Sequence, residues 1–372
     1  MGADLNSGAN LDFSVVSLNA LKENLDPSLA IYADVILNPM FPQAELDRLK
    51  RLQLAGIQQE KNTPTSMALR VLPRLLYGEG HAYALPMTGS GTEQSVAAIS
   101  RDDLVKYHDT WFKPNNATLI VVGDTTLAEI KPKLETLFAR WQRGDVPVKK
   151  LADVGLPDKP RIYLIDRPGS EQTMIMAGEL IPAKNQADEI AINAMDDILG
   201  GAFTSRINMN LREDKTWSYG ADTTIVDTQA QRLFLGIAPV QADKTAPAMR
   251  EMKKEFDEFL TTRQATDAEV ATSKRRSTLT LPGRWETARA VARDIAALVR
   301  FKLPDDYWNN YAELVAKLTA GEVNGAAKKL LQTNRLTWVV VGDRKVMEAE
   351  VRALNFGDVA IVDVDGNPST AP

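Results

Sequence analysis

Residues 199–219 carry the side chains of this sequence that are best suited to chemistry. They read Leu-Gly-Gly-Ala-Phe-Thr-Ser-Arg-Ile-Asn-Met-Asn-Leu-Arg-Glu-Asp-Lys-Thr-Trp-Ser-Tyr. Gly200 and Gly201 break one predicted helix and allow another part of the backbone to pass closely. A second helix is predicted near 203–213 and a strand from about 217. Arg212 and Tyr219 therefore flank a helix-to-strand turn.

The pair formed by Arg212 and Tyr219 combines a forked cation with a phenolic O–H donor. Both groups donate hydrogen bonds, which suits them to peptide carbonyls or to an oxyanion. The alternative is that Arg212 is a surface cation at a helix end and Tyr219 an ordinary strand residue. From composition alone, this structural alternative is the favoured interpretation.

The other residues with catalytic potential are few. The chain has two histidines, His81 and His108, and no cysteine, so thiolate metal sites and disulfides are excluded. No H-E-x-x-H, H-x-x-E-H, G-x-S-x-G or Walker motif is present. Packing roles are expected for both histidines, in a loop and on a helix opened by Ser100.

Composition places the chain among ordinary globular proteins. It has 372 residues, 44% hydrophobic and 25% charged, and a net charge of −5, which allows two or three domains. Without a basic cluster, nucleic acid is not an expected partner. No apolar run approaches the ~20 residues of a membrane span. The N-terminus does not resemble a signal peptide; the lack of cysteine fits a bacterial periplasmic location without fixing it.

Two segments of the chain are nearly identical. Residues 118–124 (Thr-Leu-Ile-Val-Val-Gly-Asp) recur 219 residues later at 337–343 (Thr-Trp-Val-Val-Val-Gly-Asp). Shorter matches keep the order and nearly the offset, such as residues 2–4 with residues 220–222. Such a repeat predicts a duplicated domain. By this alignment, the first unit lacks roughly 60 residues that open the second.

Periodicity, caps and turn residues predict an α+β fold of two homologous units, each a mostly antiparallel sheet covered by helices. The first unit (1–142) lacks its opening strands and helix, 143–158 is a linker, and 159–372 is the second unit. Strands are predicted at 13–21, 117–122, 161–166, 171–178, 217–226, 230–238 and 336–341. Helices are predicted near 27–37, 43–62, 65–77, 126–142, 188–199, 203–213, 245–262, 266–280, 284–300, 305–317, 320–332 and 345–353. Residues from 365 onward are expected to fray.

The sequence resembles the pitrilysin/insulinase family of zinc metallopeptidases, the group with an inverted H-x-x-E-H motif. The second domain of that family has the pattern L-G-G-x-x-x-S-R-L-x-x-x-L-R-E-x-x-x-x-x-Y. Ile207 stands at one apolar position, and the identical positions here are Leu199, Gly200, Gly201, Ser205, Arg206, Leu211, Arg212, Glu213 and Tyr219. The first unit also matches around residues 33–39, 81–86 and 114–124. The resemblance covers nearly the whole chain and reverses the preference for a purely structural role of the pair.

The resemblance implies two halves that face each other across a closed chamber. The active half carries H-x-x-E-H and a downstream Glu; the two His and that Glu bind zinc, and the motif Glu acts as general base. The other half supplies an Arg/Tyr pair, onto which Arg212 and Tyr219 fall as catalytic contacts. Gly200, Gly201, Ser205 and Arg206 are assigned to substrate binding. No cofactor is expected in this chain, and zinc is expected in the partner half.

The chain departs from the active pattern at the metal ligands. The H-x-x-E-H helix of the first unit would fall in the absent stretch, and the downstream ligand position falls on Gly56, with Glu60 one turn away. The favoured interpretation is thus the zinc-free half, with a zinc-bearing half and a peptide as partners. Self-association through the incomplete first unit is also expected. The alternatives are a scaffold of the same fold, or a fragment of a self-sufficient peptidase.

Overall fold

A computed structural model describes residues 1–184 and 187–369 of the chain. Eight strands lie within these residues: β1 (Asp4–Ala9), β2 (Ser14–Asn19), β3 (Arg161–Asp166), β4 (Gln172–Ile181), β5 (Asp222–Val226), β6 (Arg232–Gln241), β7 (Thr337–Gly342) and β8 (Asp358–Val362). The α-helices are α1 (Leu25–Leu37), α2 (Gln43–Glu60), α3 (Pro64–Tyr77), α4 (Glu93–Ala98), α5 (Arg101–Trp111), α6 (Leu127–Leu137), α7 (Glu189–Asp196), α8 (Arg206–Asn208), α9 (Thr245–Leu260), α10 (Asp267–Leu279), α11 (Leu281–Arg284), α12 (Ala288–Phe301), α13 (Tyr307–Lys317), α14 (Ala320–Leu330) and α15 (Arg344–Ala353).

The described residues form two compact units that are not continuous in sequence. The first comprises residues 1–57, 91–150 and 284–297, and the second comprises the described residues of 58–90, 151–283 and 298–369. Three of the boundaries fall inside α2, α11 and α12, and α3 belongs to the second unit. The predicted domains, 1–142 and 159–372, are defined by the sequence repeat and not by compactness. This division of the chain stays a prediction.

The second unit is built on a six-stranded mixed sheet. Its strand order is β5-β6-β4-β7-β3-β8, with β3 parallel to β7 and β8 and the remaining pairs antiparallel. All six residues of β7 are buried, as are nine of the ten in β4. Because consecutive side chains of a strand point to opposite faces, both faces of these central strands are covered.

One face of the sheet carries the main hydrophobic core. Ile175 and Trp338 pack there with apolar residues of α7, α9 and α14. The opposite face is covered by α3. Gly178 allows this close approach, since a Cβ at that position would lie 3.2 Å from Leu76 and 3.3 Å from Leu72.

The first unit holds a smaller sheet, the antiparallel β1–β2 hairpin, together with helices. The strand predicted at 117–122 is wrong, because these residues form no strand. The matching strand β7 pairs with β3 and β4, whereas in the described part of the first unit β1 and β2 pair only with each other. A strand is assigned by its ladder, so a strand-like sequence without neighbours stays unassigned.

Elements follow one another in the same order at both ends of the repeat. The elements match one to one. The hairpin β1–β2 corresponds to β5–β6, α1 to α9, α2 to α10, α5 to α14, and segment 118–122 to β7. The predicted caps at Ser100 and Thr319 are confirmed, each accepting a hydrogen bond from the backbone N–H three residues on. The α+β fold class is confirmed; common ancestry of the two units stays a prediction.

The segment after residue 364 does not fray as predicted within the part of the chain that is described. Asp365 accepts a hydrogen bond from Lys61 at 2.7 Å, and its backbone oxygen accepts one from Arg74 at 3.1 Å. The prediction of a frayed tail is wrong through residue 369 because these two cations, before and within α3, hold the segment by charge-assisted hydrogen bonds.

Candidate functional site

The segment that carries Arg212 is built from two wide helical turns. Helix α7 continues into a π-helix, Asp197–Gly201, and α8 continues into a second one, Met209–Asp214. Hydrogen bonds over five residues define both, from the Ala202 N–H to the Asp197 oxygen and from the Lys215 N–H to the Asn210 oxygen. Such turns are rare and concentrate at functional sites. The motif thus has an unusual backbone at both ends.

Gly200 lets strand β5 pass against the first π-helix. A Cβ on Gly200 would lie 2.3 Å from the backbone nitrogen of Thr223, so no other residue fits without moving β5. The Thr223 hydroxyl donates to Asp196 at 2.7 Å. Burial raises the pKa of the Asp196 carboxyl to about 6; the Thr223 hydrogen bond opposes this rise, and the nearby Asp197 carboxylate adds to it.

Arg206 is engaged within the chain. Its Nε and Nη2 donate to the two carboxylate oxygens of Glu269 at 2.8 Å each, and its remaining donors reach the Arg263 and Gln264 carbonyls. Glu269 also caps α10. Ser205 is 2% exposed, at the start of α8. These contacts give Arg206 a structural role, and direct contact of Arg206 and Ser205 with substrate stays a prediction.

Asn210 anchors the helical segment on its other side. Its amide donates to Glu251 at 3.0 Å and to Glu255 at 2.8 Å, both on α9. Together with the Arg206 pair, this fixes residues 206–214 against two neighbouring helices. Arg212 therefore projects from a backbone that is held in place.

Residues 212–221, here called the Arg/Tyr turn, are closed by backbone hydrogen bonds. The Trp217 N–H donates to the Leu211 oxygen at 3.0 Å, and the Gln241 N–H donates to the Trp217 oxygen at 3.0 Å. The Ser218 hydroxyl donates to the Pro239 oxygen at 2.5 Å. The turn is thus attached both to the helix before it and to β6.

Thr216 lies in a strained conformation at the centre of the Arg/Tyr turn. Its φ is +55°, in the left-handed region that a β-branched residue rarely occupies. A conformation of this kind costs on the order of 1–3 kcal/mol and persists where the surrounding structure enforces it, often at functional sites. The contacts around the turn therefore hold it in a shape that its own sequence disfavours.

Arg212 and Tyr219 both present polar groups to solvent. Arg212 is about one-third exposed, with its guanidinium 4.5 Å from the Phe203 ring centroid and its Nε 3.4 Å from Glu213. Tyr219 is 89% exposed. Among the described residues, neither the Tyr219 hydroxyl nor the Arg212 guanidinium makes a hydrogen bond, so their donors are available to a ligand.

The histidines do not fit a metal site. His81 accepts the Tyr83 N–H at Nδ1, contacts the Ala152 oxygen at 3.1 Å through Nε2 and stacks on Tyr77. His108 contacts the Ile36 oxygen at 2.8 Å through Nε2. Within the described residues, no three His, Cys, Asp or Glu side chains are grouped so as to hold a metal ion.

Gly56 stands where the sequence places the missing ligand, and Glu60 lies one helical turn after it. The Glu60 carboxylate accepts hydrogen bonds from Arg70 at 2.8 Å and from Ser90 at 2.7 Å. Burial alone would raise its pKa, but these hydrogen bonds outweigh burial and lower it. Glu60 is thus committed to an internal ion pair with the nearly buried Arg70.

Comparison with known proteins identifies the family. Residues 98–277 match the family model described as "Peptidase M16 inactive domain". Over these residues the chain carries a domain of the M16, pitrilysin/insulinase-type, family. The matched region contains the whole Arg/Tyr turn. The description "inactive domain" belongs to the family model that this region matches.

Three similar proteins show the extent of the likeness. A Helicobacter pylori protein named "Non-peptidase homolog YmxG" is 20% identical over 342 residues, covering 92% of this chain and 78% of the relative. A Bacillus subtilis protein named "Uncharacterized zinc protease YmxG" is 23% identical over 222 residues, covering 59% and 52%. The crystal structure of an M16 inactive domain from Pseudomonas fluorescens is 27% identical, with a TM-score of 0.84 and coverage of 92% and 81%.

The structure also adds residues that sequence reasoning did not select. Phe203 contacts Arg212, Asn208 bridges two loops of the motif, and Thr216 is strained. None of these follows from the family pattern, in which they occupy unspecified positions.

None of the helices formed by residues 1–184 and 187–369 combines the length and apolarity of a membrane span.

Proposed function

We propose that this M16 chain is the substrate-gripping partner of a separate zinc-bearing half, and that the two together hydrolyse peptides in a closed chamber. The observation that carries the proposal is the Arg/Tyr turn. Arg212 and Tyr219 offer free donors on a backbone fixed by Arg206, Asn210 and Trp217. Preorganised donors of this kind are what stabilisation of developing charge requires.

Each side chain has a separate task under this proposal. The Arg212 guanidinium forks two hydrogen bonds to carbonyl oxygens of an extended peptide, because its planar donors match paired acceptors. The Tyr219 O–H donates to the oxygen that becomes negative as the scissile carbonyl turns tetrahedral. Under this proposal zinc belongs to the partner half, because within the described residues Glu60 is paired with Arg70 and no three His, Cys, Asp or Glu side chains are grouped so as to hold a metal ion.

The proposal is tested by pairing the chain with a zinc-bearing half. The chain is mixed with the H-x-x-E-H homologue encoded nearest to its own gene, and hydrolysis of a fluorogenic decapeptide library is followed. We expect activity from the mixture and none from this chain alone. If the mixture is as inactive as the chain alone, the peptidase proposal fails.

Substitutions then assign the activity to the turn. We expect Arg212→Ala and Tyr219→Phe each to lower kcat/KM, the latter by about 10²–10³, the usual effect of losing one oxyanion donor. Arg212→Lys should not restore full activity because it keeps the charge and loses the fork. Thermal melts should be unchanged for Tyr219→Phe, whose ring is exposed. Val346→Ala, an exposed position on α15, is the control.

A non-peptidase scaffold is the second candidate, favoured by the name of the Helicobacter relative. It predicts that both turn variants keep wild-type specific activity in the mixture, or that their effects follow lost stability. The third alternative, a fragment of a self-sufficient peptidase, is disfavoured by Gly56 at the ligand position and by the internal ion pair of Glu60.

A further inference from the structure

Phe203 lies beside the guanidinium of Arg212 without belonging to the family pattern. Its ring centroid is 4.5 Å from the Arg212 Cζ, within the range of a cation–π contact. Phe203 is 61% exposed, so it contributes little to the hydrophobic core. The contact that the structure shows for this ring is with the cation of Arg212.

A buried amide connects Phe203 to the other end of the Arg/Tyr turn. Asn208 is 5% exposed, and its Nδ2 donates to the Phe203 oxygen at 2.6 Å. Its Oδ1 accepts the Ala221 N–H at 3.1 Å. One side chain thus ties the loop bearing the Arg212 platform to the residue two positions beyond Tyr219.

We propose that Phe203 is a positioning residue for Arg212, and that Asn208 holds this platform in register with Tyr219. This inference rests on the proposed function, and it explains how Arg212 is positioned before the peptide binds. A guanidinium lying against a ring loses rotamer freedom before substrate arrives, so less entropy is lost on binding. The contact engages the ring and not a hydrogen bond, so the terminal N–H donors of Arg212 stay available to a substrate.

The test compares Phe203→Leu with Phe203→Tyr in the intact chain. Leucine keeps an apolar side chain and removes the π face, whereas tyrosine keeps the ring. First, the Arg212 Nε–Hε resonance is followed by NMR in ¹⁵N-arginine-labelled protein and assigned with Arg212→Lys. We expect an upfield ring-current shift that Phe203→Leu removes and Phe203→Tyr retains.

The second readout is hydrolysis of the fluorogenic decapeptide library by the mixture with the zinc-bearing half. Phe203→Leu should lower kcat/KM about two- to fivefold, equivalent to ~0.5–1 kcal/mol for an exposed cation–π pair, and Phe203→Tyr should restore it. Val346→Ala again serves as the surface control. Melting temperatures should be unchanged throughout because Phe203 is exposed.

The outcomes separate this inference from the proposed function. If Arg212→Ala lowers activity while Phe203→Leu behaves as wild type, the positioning role is wrong and the proposed function stands. If Arg212→Ala has no effect, the proposed function falls, and the NMR shift alone decides whether the contact exists. An Arg212 resonance that does not respond to Phe203→Leu overturns the inference in either case.

Discussion

Arg212 and Tyr219 are exposed for different physical reasons. Arg212 is directed outward by a π-helix whose far side is fastened to α9. Tyr219 is exposed because its neighbours anchor the turn instead. The Ser218 hydroxyl donates a hydrogen bond to the Pro239 oxygen, and Ala221 is buried. Because the Tyr219 ring is 89% exposed, Tyr219→Phe separates an effect on function from an effect on stability.

A buried carboxyl away from the turn leads to a prediction about pH. Glu179 on β4 is fully buried, and both carboxylate oxygens accept the Gln332 N–H, at 3.1 and 3.0 Å. Burial raises the pKa of Glu179 from 4.5 to about 8, although the Gln332 hydrogen bond opposes the rise. The folded protein then keeps a proton that the unfolded chain releases above pH 4.5.

The sign of the effect follows from this difference in bound protons. The stabilising contribution of protonated Glu179 is complete below pH 4.5 and is lost as pH rises through about 8. The free energy of unfolding should fall with a slope of up to about 1.4 kcal/mol per pH unit in this window. In urea titrations at pH 5.5, 6.5 and 7.5, Glu179→Gln should reduce the slope of the free energy of unfolding against pH. The substitution Glu213→Gln, at an exposed position, should leave this slope unchanged. An equally steep slope in Glu179→Gln would refute the assignment.

At the scale of elements, α3 is the helix that completes the second unit. It lies far from β4 and β7 in sequence but covers the face of the sheet opposite the main core. Leu72 is fully buried there, against Gly178. We expect Leu72→Ala to lower the free energy of unfolding by about 2–5 kcal/mol, from lost burial and a residual cavity. Leu85→Ala, more than half exposed in the same unit, is the control in urea denaturation. Equal effects would show that α3 does not complete this core.

Sequence patterns predicted most helices within a few residues because periodicity and caps are local. Ser100 and Thr319 show this, each closing a capping box. The errors arise where distant pairing decides. Residues 117–122 have the sequence of a strand but do not pair with one. Conversely, β8 is not among the predicted strands and forms a parallel pair with β3. The pattern around Arg212 located the turn, but the two π-helices and the strain at Thr216 depend on contacts that spacing does not reveal.

On the scale of the whole molecule, the first unit presents an apolar groove of about 420 Å³ beside residues 118–123. Leu119 and Val121, two residues apart on this segment, are 45% and 44% exposed, and Leu127 of α6 is 76% exposed. A strand-like sequence without a ladder and with exposed apolar side chains favours pairing with another strand.

We therefore expect the purified chain to associate with itself through this groove, in a concentration-dependent way that sedimentation velocity detects. Val121→Lys should weaken the association, because a charged lysine at an unpaired edge opposes strand pairing. Val346→Lys makes the same change of charge at a position 48% exposed in the second unit, and should leave it intact. Since the chain carries a net charge of only −5, general repulsion is modest, and an equal effect of both variants would point to charge rather than to the groove. A chain that stays monomeric at high concentration would mean that the groove is not an association surface between copies, and the Arg/Tyr turn would then be the remaining candidate for contact with a partner.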